Sequence, residues 1–134
     1  MQVTWKILVI DDDPDILDVM TITLKDAGYS VLCAPDGQSG ILLAKSHFPQ
    51  IVITDIKMPG MSGLELAHAM SSETRLASIP VLMLTARGHL LHDGEMRSPN
   101  IVAIVHKPFS PRALLADVVS ILAIRQQQHE RSVA

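Results

Sequence analysis

Lys6-Ile7-Leu8-Val9-Ile10-Asp11-Asp12-Asp13-Pro14 is the stretch on which the fold of this chain turns. Residues 7–10 are apolar at every position, not at alternate ones. A strand of that kind is covered on both faces, as in a parallel sheet. Three acids follow at once, then a proline. Asp13 suits an N-cap, and Pro14 suits the first position of a helix. The stretch therefore reads as a strand, an acidic strand end and a helix start.

Outward from it lie four more strand-like runs: Ser30–Ala34, residues 51–54, Val81–Thr85 and Ile101–His106. Helical stretches separate them. The first carries Ile16, Leu17, Met20 and Leu24 at three- and four-residue spacing and closes at Gly28. The second covers about 38–48, with Ile41, Leu42 and Ala44 predicted inward. The third starts near Gly63, with Leu64, Leu66 and Ala67. The last opens with Ser110 as cap and Pro111 in its first turn, and its predicted inner face is Leu115, Val118, Val119 and Leu122. Residues 87–100 hold Gly88, Gly94 and Ser98-Pro99 with few apolar residues, so a helix there is expected to be short or irregular. His89, His92 and Asp93 in this segment read as loop residues. Cys33 reads as a small core residue. Strands alternating with helices predict a doubly wound α/β fold with right-handed crossovers. In such sheets the working site lies at the carboxyl ends of the strands.

Composition narrows the function. A chain of 134 residues is one domain, with 48% hydrophobic and 19% charged residues. A net charge of -3 offers no basic footprint for nucleic acid and no polybasic membrane anchor. Aromatic residues at 3% leave little for base stacking. No apolar run reaches the roughly 20 residues of a membrane span, and the start has no signal-peptide core. A single cysteine forms no internal disulfide and fits the cytoplasm. We expect a domain over residues 1–125 and a polar tail or linker start over 126–134.

Four strand ends carry the conspicuous polar residues: Asp11-Asp12-Asp13, Asp55, Thr85 and Lys107-Pro108. In a parallel sheet these ends converge. Clustered carboxylates resist joint ionisation unless a cation neutralises them. Hard oxygen ligands suit Mg²⁺. A lysine there can pair with a carboxylate or a phosphoryl oxygen, a threonine hydroxyl can donate to phosphoryl oxygen, and an aspartate can attack phosphorus. Each residue alone has a plain explanation as cap, turn or strand residue; their joint occurrence at successive strand ends does not.

These motifs resemble those of the response-regulator receiver domain of two-component phosphorelays. The resemblance rests on Ile7–Asp13, on Ile53-Thr54-Asp55-Ile56-Lys57-Met58-Pro59-Gly60-Met61-Ser62-Gly63, on Leu84-Thr85-Ala86 and on Lys107-Pro108-Phe109. It implies a flavodoxin-like five-stranded sheet of order 2-1-3-4-5 flanked by five helices. It implies Asp55 as phosphoacceptor, Asp12 as direct Mg²⁺ ligand, Asp11 as a ligand largely through water, and the Lys57 backbone carbonyl as a further ligand. Thr85 and Lys107 would hold phosphoryl oxygens, Ala86 would leave room for the group, and the Lys107–Pro108 bond would be cis. The implied partners are a sensor histidine kinase or phosphotransfer protein, and a downstream protein or fused output domain. The output face would be helix four, strand five and helix five, a face that also admits a homodimer. The domain would assist its own phosphorylation and dephosphorylation without being a turnover enzyme.

Three positions depart from the family pattern. Ile104 stands where a switch aromatic is usual, and its plain reading is a core residue. Residues 87–100 lack the usual acidic, Ala/Gly-rich pattern, and the apolar run beside them, residues 101–105, either offers a surface for a partner or a second copy or is simply a buried strand beside a loose loop. Lys57 and Arg87 lie two residues beyond Asp55 and Thr85, where they either modulate the lifetime of the phosphoryl group or are simply solvated. Two other functions compete: a receiver-shaped interaction module independent of phosphorylation, and a phosphatase of the haloacid-dehalogenase type with its acceptor at Asp11. The second gives Asp55 no role and lacks room for a cap domain.

Overall fold

The computed structural model describes residues 4–86 and 98–133. In chain order they form β1 (Lys6–Ile10), α1 (Pro14–Asp26), β2 (Ser30–Ala34), α2 (Gly37–His47), β3 (Ile51–Asp55), α3 (Gly63–Ser71), β4 (Val81–Thr85), β5 (Ile101–His106) and α4 (Pro111–Val133). The strands make one parallel sheet of order β2-β1-β3-β4-β5, as the resemblance implied.

Side-chain alternation divides the core in two. From β1, Leu8 and Ile10 join Val52, Met83, Leu66 and Met70 on the side of α2 and α3. Ile7 and Val9 join Ile53, Leu82, Met20, Leu24 and Val118 on the side of α1 and α4. Both faces of the central strands are thus buried, which explains their unbroken apolar runs. Each fully buried Leu, Ile or Met contributes about 1.5–3 kcal/mol. That sum lets the fold tolerate a polar cluster at one rim.

The helix starts follow side-chain chemistry. Asp13 caps α1 by accepting the Asp15 N–H at 2.9 Å. Asp36 caps α2 through the Ser39 N–H, and this bond holds its carboxyl below the usual range. Ser62 and Glu65 form a reciprocal capping box on α3.

Several expectations need correction. The resemblance implied five helices, but the described residues form four, and the final helix is α4. The expected fourth helix falls on residues 87–97, which lie outside the described residues, as do Arg87, His89, His92 and Asp93. The outer strands are not covered on both faces. β5 alternates half-buried and exposed residues because it is an edge strand, and Ile104 is 40% exposed, not in the core. Cys33 on the other edge strand is also exposed, with Sγ 3.1 Å from the Thr21 hydroxyl. Leu42 and Val119 point outward, and Leu114 is buried. α4 continues without a break past residue 125. No helix among the described residues is long and apolar enough to cross a membrane.

Candidate functional site

The parallel register brings the strand ends together. Ile10 pairs with Thr54, Asp55 with Leu84, and Thr85 with His106. The chain stays zipped one residue beyond the strands, through Ile56 N–H to Leu84 carbonyl at 2.9 Å and Lys107 N–H to Thr85 carbonyl at 2.7 Å. Asp11, Asp55, Thr85 and Lys107 therefore leave their strands at one rim.

Asp11 is fully buried, Asp55 nearly so, and Asp12 exposed. One carboxylate oxygen from each lies within 4.8 Å of the others, an arrangement that fits a hard divalent cation. Asp11 Oδ1 accepts the Asp13 N–H at 2.9 Å. Lys107 Nζ lies 3.0 Å from Asp11 Oδ2 and 3.3 Å from Asp55 Oδ2. Burial raises the Asp11 carboxyl above the usual range; the Asp13 N–H and Lys107 offset it only in part, and the Asp55 charge adds to the rise. Burial alone would lower the Lys107 ammonium, but Asp11 and Asp55 outweigh it and hold Lys107 above its ordinary value. The Lys107–Pro108 bond is cis.

Thr85 carries the clearest sign of a waiting ligand. Its Oγ1 is buried and finds no hydrogen-bond partner among the described residues. An unpaired buried hydroxyl costs about 1–3 kcal/mol, a cost that an oxygen-rich ligand would remove. Ala86, the next residue, is exposed and small. Lys57 sits in the β3–α3 loop with its side chain exposed.

That loop is fixed from below. Gly60 has φ +77°, the left-handed region that glycine adopts without strain. Gly63 donates its N–H to the Ile56 carbonyl at 2.9 Å, and a Cβ on it would lie 2.3 Å from the Asp55 carbonyl oxygen. Backbone cannot yield as a side-chain tip can. Gly63→Ala should therefore destabilise the fold by at least about 2 kcal/mol. Urea unfolding would show a lower midpoint; an unchanged midpoint would sink this account of the loop.

Some features left no trace in the sequence. Asn100 is buried; its amide donates to the Ala67 carbonyl at 2.9 Å, its side-chain oxygen accepts from the Ser98 hydroxyl, and its carbonyl accepts the Val81 N–H at 2.8 Å. It ties the start of β5 to α3. A groove of about 520 Å³ next to Lys107, between α1 and the segment after β5, was equally hidden because its walls come from two distant stretches.

The sequence pattern of the response regulator receiver domain matches residues 7–119. The chain is 37% identical over 117 residues to the DNA-binding dual master transcriptional regulator RpaA of Synechocystis, covering 87% of this chain and 48% of that one. It is 33% identical over 118 residues to the phosphate regulon transcriptional regulatory protein PhoB of Pseudomonas aeruginosa, covering 87% and 51%. It thus spans about half the length of each of these relatives. Among solved structures, the Vibrio cholerae chemotaxis protein CheY4 is similar with a TM-score of 0.82 and 30% identity, over 89% of this chain and 99% of that one.

Proposed function

Since the chain belongs to the response regulator receiver domain family, we propose that it is a phosphoacceptor of a two-component phosphorelay, with Asp55 receiving the phosphoryl group. The donor is the phosphohistidine of a sensor kinase or phosphotransfer protein. The observation that carries this reading is Lys107, whose Nζ lies within 3.0 Å of Asp11 and 3.3 Å of Asp55. It places a cation where charge builds on a phosphoryl group in transfer to Asp55. Thr85 offers the unpartnered hydroxyl that such a group would take as donor. Transfer occurs once per chain; this is signalling, not turnover. A kinase-fed acceptor works where the kinase has ATP, which places the domain in the cytoplasm.

The carboxylates of Asp11, Asp12 and Asp55, with the Lys57 backbone carbonyl, are the groups that would hold Mg²⁺, which when bound supplies positive charge beside the phosphoryl oxygens. Binding to the folded state alone raises stability by about 2.7 kcal/mol at a hundredfold excess over the dissociation constant. For a domain of this size that is an increase of roughly 8 °C in the unfolding midpoint. Asp12 is exposed, so Asp12→Ala should fold normally and lose the increase. A midpoint indifferent to Mg²⁺ in the unsubstituted protein would argue against the ion.

Movement of Thr85 toward the new dianion would be felt at the end of β5, where the N–H of the next residue, Lys107, is bonded to the Thr85 carbonyl at 2.7 Å. The face of β5 and α4 is therefore the proposed output surface, read by a fused domain or a separate protein. Ile104 on that face favours a second reading, an interaction module that works without phosphorylation. Incubation with Mg²⁺ and acetyl phosphate, or with a histidine-kinase donor, followed by intact mass separates the two. A gain of one phosphoryl group supports the first reading; no gain from either donor supports the second.

A further inference from the structure

The first turn of α2 rests on both chain segments that carry the acidic site, yet contributes no carboxylate to it. A Cβ added to the buried Gly37 would lie 2.8 Å from the Met61 carbonyl oxygen and 2.9 Å from the Met61 Cβ. The helix start therefore already sits against the backbone of the β3–α3 loop. A Cβ added to the buried Gly40 would lie 2.9 Å from Cγ1 of Ile10, the residue before Asp11 and Asp12. The turn itself is pinned. Asp36 accepts the Ser39 N–H at 2.7 Å, and the Ala34 carbonyl just before it accepts the Asp11 N–H at 3.1 Å.

We propose that Gly37 is a positioning residue for the cation: seated on Met61, it holds the β3–α3 loop, and with it the Lys57 carbonyl, in a geometry that suits Mg²⁺ over Ca²⁺. The proposal rests on the cation reading of the acidic site. The loop transmits a push because it is not slack. The Gly63 N–H closes it onto the Ile56 carbonyl at 2.9 Å, and Met58 and Met61 pack in the same apolar cluster as Ile56. A side chain at position 37 meets loop backbone, which must shift as a unit, and Lys57 lies in that unit four residues before Met61. Asp11 and Asp12 follow β1 and stay behind, so the spacing between the two halves of the site changes. Mg²⁺ demands near-octahedral oxygens at about 2.0–2.1 Å, whereas Ca²⁺ accepts longer bonds in flexible arrangements. The displaced loop therefore penalises Mg²⁺ more.

Gly37→Ala should raise the Mg²⁺ dissociation constant about tenfold, the lower end of what loss of a ligand's supporting contact costs. The Ca²⁺ constant should rise less than about threefold. Both constants are read from the unfolding midpoint as each chloride is titrated. Alanine is the better helix former, and a change confined to helix stability moves the metal-free midpoint but neither constant. Gln38→Ala, on the exposed side of the same turn, should leave both constants at the parent values. Met61→Ala strips the contact from the loop side without touching α2, and it should also weaken Mg²⁺ more than Ca²⁺. It decides the matter if Gly37→Ala does not fold. A Mg²⁺ constant that stays at the parent value in the deciding variant overturns the proposal and leaves the cation reading standing. So does an equal loss for the two ions, which marks general loosening of the site. If Mg²⁺ leaves the midpoint of the unsubstituted protein unmoved, the cation reading fails and the proposal fails with it.

Discussion

The Asp55→Asn variant should gain no phosphoryl group under conditions in which the unsubstituted chain gains one. Three carboxylates share the site, so the geometry must say why only one is the acceptor. Asp11 has both oxygens engaged, Oδ1 by the Asp13 N–H at 2.9 Å and Oδ2 by Lys107 at 3.0 Å, and it is fully buried. Asp12 is exposed and forms no ion pair with Lys107. Asp55 meets Lys107 only through Oδ2, and among the described residues no hydrogen bond is made to its Oδ1. It is the carboxylate with a free oxygen beside a cation. An amide of the same shape keeps the packing but has no anionic oxygen for phosphorus. The loss should therefore be complete, with the unfolding midpoint close to that of the parent. Phosphorylation that survives Asp55→Asn and disappears in Asp11→Asn would transfer the acceptor to the first strand, as in the phosphatase alternative.

How far the sequence reached depended on whether the deciding contacts were local. The βα unit at Lys6–Pro14 was readable because strand, cap and proline each leave a local mark. The site followed because, in a parallel sheet, strand ends converge whatever the helices do. The convergence of Asp11, Asp55, Thr85 and Lys107 at one rim was therefore readable without knowledge of a single distance. Edges were harder. Ile104 and Cys33 have the apolar character of core residues, but β5 and β2 are the outermost strands and leave alternate side chains uncovered. Helix faces were assigned one position wrong where two apolar residues adjoin: on α4 Leu114 is buried beside the predicted Leu115, and Val119 is exposed beside the buried Val118, a choice set by the packing against α1 that spacing does not encode. The count of five helices came with the resemblance and had no support from the sequence of residues 87–100, and the described residues form four. Asn100 was invisible because its partner, the Ala67 carbonyl, is 33 residues away.

Lys107→Ala should slow phosphoryl transfer to Asp55 by about 10²–10³-fold, the usual effect of removing one preorganised donor to developing charge. Lys107 is the only cation within ion-pair distance of Asp11 and Asp55 among the described residues. Its removal leaves a buried carboxylate, already raised by desolvation, without its counter-charge. Lys107→Arg should not restore the rate, because a planar guanidinium needs more room than a compact ammonium between two carboxylates. The raised Lys107 pKa sets the sign of the pH effect. Its pairing is fully present below the ordinary value of 10.5 and is lost only as pH rises through the higher native value. Between neutral pH and about 9, then, deprotonation of Lys107 should not slow the unsubstituted protein. Initial rates from intact mass, taken with acetyl phosphate and Mg²⁺ held constant, measure both effects. A Lys107→Ala rate within about threefold of the parent would mean that the ammonium serves the fold and not the transfer, because loss of a working electrostatic donor costs far more than that.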